Sequence, residues 1–236
     1  MELPFFFEEN LPDSEIFKLS EESSRHIVQV LRMKEKDELL ITNGKGVTLK
    51  ASLISANKKK AEIQTLGKSL SDRPLHKISI GISLIKNKNR FEWFLEKAVE
   101  IGVSEIIPFE SARTENHHFR HDRVKSILVS AMLQSQQAWL PEIYEPVKFK
   151  NLLSKKSYEN KYIAHCIKDK RSLLNELSGN YSDNGHTIIL IGPEGDFTKE
   201  EVEEAIQNKF IPVSLGETRL RTETAGLVAA VLLLSK

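Results

Sequence analysis

Thr187-Ile-Ile-Leu-Ile-Gly-Pro-Glu-Gly-Asp-Phe-Thr-Lys-Glu-Glu201 decides how this 236-residue chain is read. Thr187 to Ile191 is a run of β-branched and leucine side chains, the composition of a strand covered on both faces, as in an α/β sheet. Gly192 and Gly195 bracket Pro193 and Glu194, so the backbone can turn sharply and lie open to a ligand. Thr198 then opens a helix. Glu201 stands at its capping-box position, and Phe197 and Val202 are spaced as a hydrophobic staple. A second stretch, Leu215-Gly-Glu-Thr-Arg-Leu-Arg-Thr-Glu-Thr-Ala225, repeats the plan. Strand Ile211 to Leu215 runs into Gly216, a polar loop, and a helix from about Thr222. Two glycine loops at the carboxyl ends of two neighbouring strands form the usual crevice of an open α/β sheet.

Gly-Pro-Glu-Gly is neither the G-x-G-x-x-G dinucleotide fingerprint nor a P-loop with its Lys-Ser/Thr ending. Local chemistry therefore leaves a ligand loop and an ordinary α/β turn equally open. The set Ile191-Gly-Pro-Glu-Gly195, Leu215-Gly216 and Leu220-Arg-Thr-Glu-Thr-Ala225 carries more. Together these residues resemble the SPOUT RNA methyltransferases, and within them the RsmE family. The resemblance implies an α/β fold: a C-terminal SPOUT domain with a mainly parallel sheet and a trefoil knot, preceded by a small β-barrel, PUA-like domain. It also implies S-adenosylmethionine as cofactor, N3 of a uridine in 16S ribosomal RNA of the small subunit as acceptor, and a homodimer. Carried onto this chain, the cofactor residues are Leu190, Ile191, Gly192, Pro193, Glu194, Gly195, Leu215, Gly216, Leu220, Arg221, Thr222, Thr224 and Ala225.

Methyl transfer to N3 is mainly a problem of alignment and water exclusion. The acceptor nitrogen must also lose a proton, so a cation beside the base and a carboxylate to take the proton are wanted. Arg221 and Glu223, between the second glycine loop and a helix start, are the candidates for those two roles. Their structural alternatives are an ion pair of Arg221 with Glu194 or Glu217, and a helix-dipole role for Glu223. The family pattern has an arginine where this chain has Thr218.

Composition sets outer limits. With 40% hydrophobic and 28% charged residues, the chain has the make-up of an ordinary globule able to bury a core. The longest apolar run, Ala225 to Leu234, is too short to span a bilayer. Phe5-Phe-Phe7 lacks the basic flank and cleavage site of an export signal. A single cysteine, Cys166, rules out an intrachain disulfide framework and suits the cytoplasm. No ligand set for a metal is persuasive. Net charge is only +1, and residues 1–73 hold 12 basic against 12 acidic side chains. RNA contact must therefore come from local patches.

Residues 1–72 suggest a small β-rich domain, and 73–236 the α/β domain, with Ser71-Asp-Arg-Pro74 as linker. Glu21 to Arg32 fits a short amphipathic helix with Ile27, Val30 and Leu31 inward. Strands are expected at Glu38 to Thr42, Val47 to Ala56 and Lys60 to Leu66, with Asn43-Gly44 as a hairpin signal. His26-Ile-Val-Gln-Val-Leu-Arg32 resembles the family's PUA-like domain, which makes Arg25, His26 and Arg32 phosphate-contact candidates against a plain exposed face. The arginine common near the family's start is absent from Glu2-Leu-Pro-Phe-Phe6.

In the second part, a strand at Lys77 to Leu84 leads to a helix at Arg90 to Ile101, with Phe91, Phe94, Leu95, Ala98 and Ile101 on one face and Gly102 as C-cap. Arg90 and Arg113 are the RNA candidates here. Arg113 matches a family arginine, although its usual glutamate neighbour is Ala112. His117, His118, Arg120, His121, Arg123 and Lys125 form the densest basic cluster, either an RNA-facing loop or a solvated one. A helix at Val124 to Ala138 holds the family-like Gln134-Ser135, with Gln137 where an arginine is common. Lys161 to Cys166 is a strand flanked by helices at Phe149 to Leu153 and Arg171 to Leu177. Retention of the glycine loops favours an enzyme over a catalytically inactive RNA-binding or ribosome-assembly protein. An unrelated nucleotide-binding α/β enzyme is the third reading.

Overall fold

The computed structural model describes residues 3–154, 158–167, 171–177 and 185–235. They fall into two units: residues 1–73 with 129–140, and 74–128 with 141–236.

The first unit holds strands β1 (Phe5–Phe7), β2 (Ile16–Lys18), β3 (Glu38–Thr42), β4 (Val47–Ser55) and β5 (Glu62–Leu70), with helix α1 (Glu21–Arg25) between β2 and β3. The sheet order is β1-β3-β4-β5-β2, antiparallel except for the β1–β3 pair. Alternation along β3 and β4 turns Leu39, Ile41, Leu49, Ala51 and Leu53 onto a core shared with Phe6, Ile27 and Ile63. Asn43 caps the β3–β4 hairpin, its Oδ1 accepting from Lys45 N (2.8 Å) and Val47 N (3.3 Å). Val129–Leu140, which sequence alone places with the larger domain, packs in this unit. Gly46 N donates to Ala138 O at 2.9 Å, and Trp139 Nε1 donates to the carbonyls of Ser71 and Asp72 at 3.1 Å.

One helix departs from expectation. After α1 the chain makes a π-helical turn at His26–Val30, with Leu31 N donating to His26 O at 3.0 Å. The extra residue in that turn rotates the following positions off the apolar face. Ile27 is fully buried as expected, but Val30 and Leu31 are 65% and 44% exposed, and Met33 takes the inward place.

The second unit is an α/β layer structure. Its strands are β6 (Lys77–Ser83), β7 (Glu105–Glu110), β8 (Glu142–Ile143), β9 (Val147–Lys148), β10 (Asn160–Ala164), β11 (Ser172–Leu173), β12 (His186–Ile191) and β13 (Ile211–Ser214). Its helices are α2 (Lys88–Ile101), α3 (His121–Gln134, whose end groups with the first unit), α4 (Phe149–Leu153), α5 (Leu174–Leu177), α6 (Lys199–Gln207) and α7 (Thr222–Leu234). The sheet order is β11-β13-β10-β12-β6-β7-β8, β9 also pairs with β7, and every pairing is parallel. Sequence placed β12 and β13 side by side. The register shows β10 between them, with Ala164 opposite both Ile191 and Val213. Residues 171–173, expected to be helical, are instead extended, with β11 at Ser172–Leu173. On α2 the buried face is Phe91, Phe94, Leu95, Ala98 and Val99, while Ile101 is only partly covered. No helix among the described residues is long and apolar enough to cross a membrane.

At the amino ends of β6, β7 and β12, Ser79, Glu105 and His186 meet. Ser79 Oγ donates to Glu105 Oε2 at 2.7 Å and lies 2.7 Å from His186 Nε2, which is 3.4 Å from the same carboxylate oxygen. Burial alone would raise the Glu105 pKa, but bonds from His186 and Ser79 outweigh it and hold the carboxyl below its ordinary value. Nearby, burial, with the Glu105 charge, pushes the Tyr158 phenol up to about 12. A depressed folded-state pKa means that the stabilisation is present above the ordinary value of 4.5 and is lost as pH falls through the folded value. Glu105→Gln is therefore expected to lose about 1–3 kcal/mol at pH 7 and to flatten the acid limb of a Tm-against-pH curve below pH 4.5. Parallel limbs for the two proteins would remove the assignment.

Candidate active site

The carboxyl ends of β12, β10 and β13 carry three loops. The first, Gly192 to Thr198, is set by its helix. Thr198 Oγ1 accepts from Glu201 N at 3.2 Å, and Glu201 Oε2 accepts from Thr198 N at 3.0 Å, the expected capping box. Phe197 and Val202 share one core cluster, as a staple requires. A Cβ at Gly192 would sit 3.0 Å from the Phe197 ring, so this glycine admits an aromatic side chain beneath the loop.

The same loop is tied to its neighbours. Glu194 Oε1 accepts from Lys86 N at 3.0 Å, in the loop after β6. Asp196, left-handed at φ 62°, accepts from Phe197 N and Cys166 N, both at 2.8 Å. From the loop after β7, Arg113 Nη1 donates to Gly195 O at 2.7 Å and to Phe197 O at 3.4 Å. Ala112 N donates to Glu201 Oε1 at 2.8 Å. Fixed on all sides, the loop needs little further ordering to accept a ligand.

The loop after β13 is freer. Gly216 has φ 141°, a conformation that disfavours side chains, and a Cβ there would meet open space. It leads to α7, whose N-cap residue is Arg221. That side chain has no oxygen with which to cap, and it makes no capping bond. The first-turn amides of α7 therefore receive no bond from the N-cap side chain.

Between these loops lies a cavity of about 600 Å³. Of the expected cofactor residues, Ile191, Gly192, Pro193, Glu194, Leu215, Gly216, Leu220, Arg221, Thr222 and Ala225 line it. Three others do not. The Leu190 side chain is in the core, where a Cβ on Gly81 would touch it. Gly195 turns toward Arg113, whose Cδ would lie 3.3 Å from an added Cβ. Thr224 falls on another side of α7. The intervening strand brings in lining that sequence missed, from Ala164, His165 and Cys166, and with it Arg171, whose Nη1 donates to His165 O. No local motif marks these residues; only the position of β10 does.

The candidate catalytic pair separates. Arg221 is exposed, lines the cavity and has no ion pair among the described residues, so the alternative of an ion pair with Glu194 or Glu217 does not form. Glu223 is 5% exposed and lies outside the lining. Its Oε1 is 3.6 Å from Arg90 Nε, and its buried Oε2 has no hydrogen-bond partner.

The other RNA candidates are placed as follows. In the first unit Arg25 pairs with Glu21 at 2.9 Å, His26 packs edge-on to Phe6, and Arg32 is exposed at φ 53°. Arg25, His26 and Val30 border a surface depression together with Glu21 and Glu22, so its charge is mixed. In the basic cluster of the second unit, three side chains face acids. Arg123 makes a two-point contact with Glu92, which lowers that carboxyl, and His121 pairs with Glu145. His117 and Lys148 share Glu110 and hold it below the carboxylate range. Surface pairs of this kind contribute little stability, but they reduce the field a phosphate would meet.

Comparison with known proteins matches the RNA methyltransferase domain family over residues 71–234 and the RNA methyltransferase PUA domain over residues 19–66. Ribosomal RNA small subunit methyltransferase E of Buchnera aphidicola (subsp. Acyrthosiphon pisum) is 32% identical across 95% of this chain and 89% of its own length. A crystal structure of a probable rRNA-methyltransferase from Porphyromonas gingivalis superposes with a TM-score of 0.88 at 37% identity, covering 97% of this chain and 95% of that one. The Neisseria gonorrhoeae Ribosomal RNA small subunit methyltransferase E, solved bound to S-adenosyl methionine, gives 0.83 at 28% identity, covering 99% and 98%.

Proposed function

The chain belongs to the ribosomal RNA small subunit methyltransferase E family, and from that premise we propose that it methylates N3 of a uridine in 16S ribosomal RNA with S-adenosylmethionine. The observation that carries this reading is the cavity over β10, β12 and β13. Its volume of about 600 Å³ falls within the roughly 300–1,000 Å³ usual for small-molecule sites. Backbone of Ile191, Gly192, Leu215, Gly216 and Leu220 would hold the adenosine part. The uncapped first turn of α7, with Arg221 beside it, suits the carboxylate of the same ligand.

When bound, S-adenosylmethionine supplies an electrophilic methyl group, which leaves the sulfonium sulfur for N3 while N3 gives up one proton. Arg221 is the cation that stabilises the uridinate as it forms. Glu223 is the proton acceptor, through the oxygen that has no partner. That role requires the Arg90 pair on Oε1 to open and the buried carboxylate to turn toward the cavity; an RNA phosphate competing for the guanidinium would draw Arg90 away. Arg25, His26 and Arg32 contact the RNA backbone from the first unit. A homodimer in the cytoplasm, with the knotted SPOUT topology, completes the proposal.

Calorimetric titration with S-adenosylmethionine, with NAD and ATP as controls, tests the site. Selective, saturable binding is expected, together with its loss in Gly195→Trp, whose ring would be driven into Arg113 and the loop. Small subunits lacking the modification should then gain N3-methyluridine. An RNA-loaded protein silent toward the cofactor would leave an RNA-binding protein in place of an enzyme.

A further inference from the structure

We propose that Arg113 is a positioning residue for the loop Gly192–Thr198, latching it from outside, rather than a contact to RNA. The inference rests on the reading of the adjoining cavity as the cofactor site. Two features of Arg113 support it. The guanidinium donates to Gly195 O and Phe197 O, and its stem lies close against Gly195, with Cδ 3.3 Å and Cβ 3.4 Å from where a Cβ on that glycine would stand. It therefore uses the absence of a side chain at 195 to reach main-chain carbonyls. The arginine is also carried on a turn that is itself fixed. Thr114 Oγ1 accepts from Ser111 N at 2.9 Å and lies 2.8 Å from Ser83 Oγ, at the end of β6. Ala112 N is held by Glu201. An arm meant to search for phosphate gains nothing from a turn closed on itself and anchored to two other segments, whereas a latch depends on one.

The geometry gives the latch a direction. Gly195 O and Phe197 O face Arg113, away from the cavity, which fixes the peptide planes of the loop. Backbone groups of Ile191 and Gly192 are then presented to a ligand at little ordering cost. Asp196 performs the same service from the β10 side through Cys166 N, so the loop is held from both sides, by the segment after β10 and by the loop after β7.

The test compares the wild-type protein with Arg113→Ala and Arg113→Lys by S-adenosylmethionine titration and by amide hydrogen exchange across the loop, both without RNA, and separately by titration with the RNA substrate. The alanine variant should bind the cofactor roughly tenfold more weakly, the loss of one charged hydrogen bond. Its loop amides should exchange faster, while Tm and affinity for the RNA substrate stay at wild-type values. Lysine, with one point donor in place of a fork, should restore part of both signals. Unchanged exchange with weakened RNA binding would overturn the latch and make Arg113 an RNA contact. Should wild type itself ignore the cofactor, the functional reading fails, and the exchange data still decide the latch on their own.

Discussion

Arg221→Ala is expected to lower kcat for methyl transfer roughly 100- to 1,000-fold, the usual cost of removing one charge-stabilising donor from an active site. Three observations make its charge usable. It lines the cavity, it is exposed, and no described acid is paired with it, so its charge is available to a ligand. Arg171 also lines the cavity but already donates to the His165 carbonyl, and Arg219 shares all three features, so what sets Arg221 apart is its place as N-cap residue of α7. Because the Arg221 side chain makes no ion pair or hydrogen bond among the described residues, the substitution should leave Tm within about 1–2 °C, as is usual for surface changes. That separates lost chemistry from lost fold. If the charge acts on the developing uridinate, single-turnover rates fall while cofactor affinity changes little. A lost carboxylate contact would instead appear as weaker cofactor binding at a nearly normal rate. Arg221→Lys should recover only part of the rate, since an ammonium cannot reproduce the planar fork. Full turnover in the alanine variant would remove Arg221 from the mechanism.

How far the site could be foreseen follows from the range over which each signal acts. The capping box at Thr198 and Glu201, the staple of Phe197 on Val202, and the start of α7 at Thr222 are set within a few residues, and they form as expected. Register over longer range is decided by other forces. Nothing in Thr187 to Leu215 states that Asn160–Ala164 will insert between two strands that follow each other in sequence. That insertion is why His165 and Cys166 escaped notice as lining. Val30 and Leu31 failed for a subtler reason: their spacing is helical, and a single π-turn is enough to carry an apolar stripe off its face. Charge misled as well. His117 to Lys125 is the densest basic run, and the fold brings Glu92, Glu110 and Glu145, which lie outside the run, to meet it. Arg113 shows the same effect in one residue, exposed in position yet occupied by main-chain carbonyls.

Gly226→Val should cost about 3 kcal/mol or more and lower Tm by roughly 6–12 °C, because it overfills a contact that has no slack. Gly226 lies on the face of α7 that meets α2. A Cβ there would stand 2.6 Å from Phe94 Cε2, 3.1 Å from Phe94 Cδ2 and 3.4 Å from Ile82 Cδ1. Phe94 is fully buried and leans on Phe91, so its ring has nowhere to turn. Valine adds two further methyl groups to that clash, and α7 must back away from α2. The displacement reaches the site, since the first turn of α7 carries Arg221, Thr222 and Ala225 on the cavity wall and Glu223 against Arg90 on α2. Cofactor affinity should therefore fall together with Tm. Gly67→Ala provides the comparison: a Cβ there meets nothing within 4 Å, and the change should stay within about 0.5 kcal/mol. A Gly226→Val protein that melts and binds like the Gly67→Ala one would show that α2 and α7 separate without cost, and that the start of α7 is positioned by its preceding loop alone.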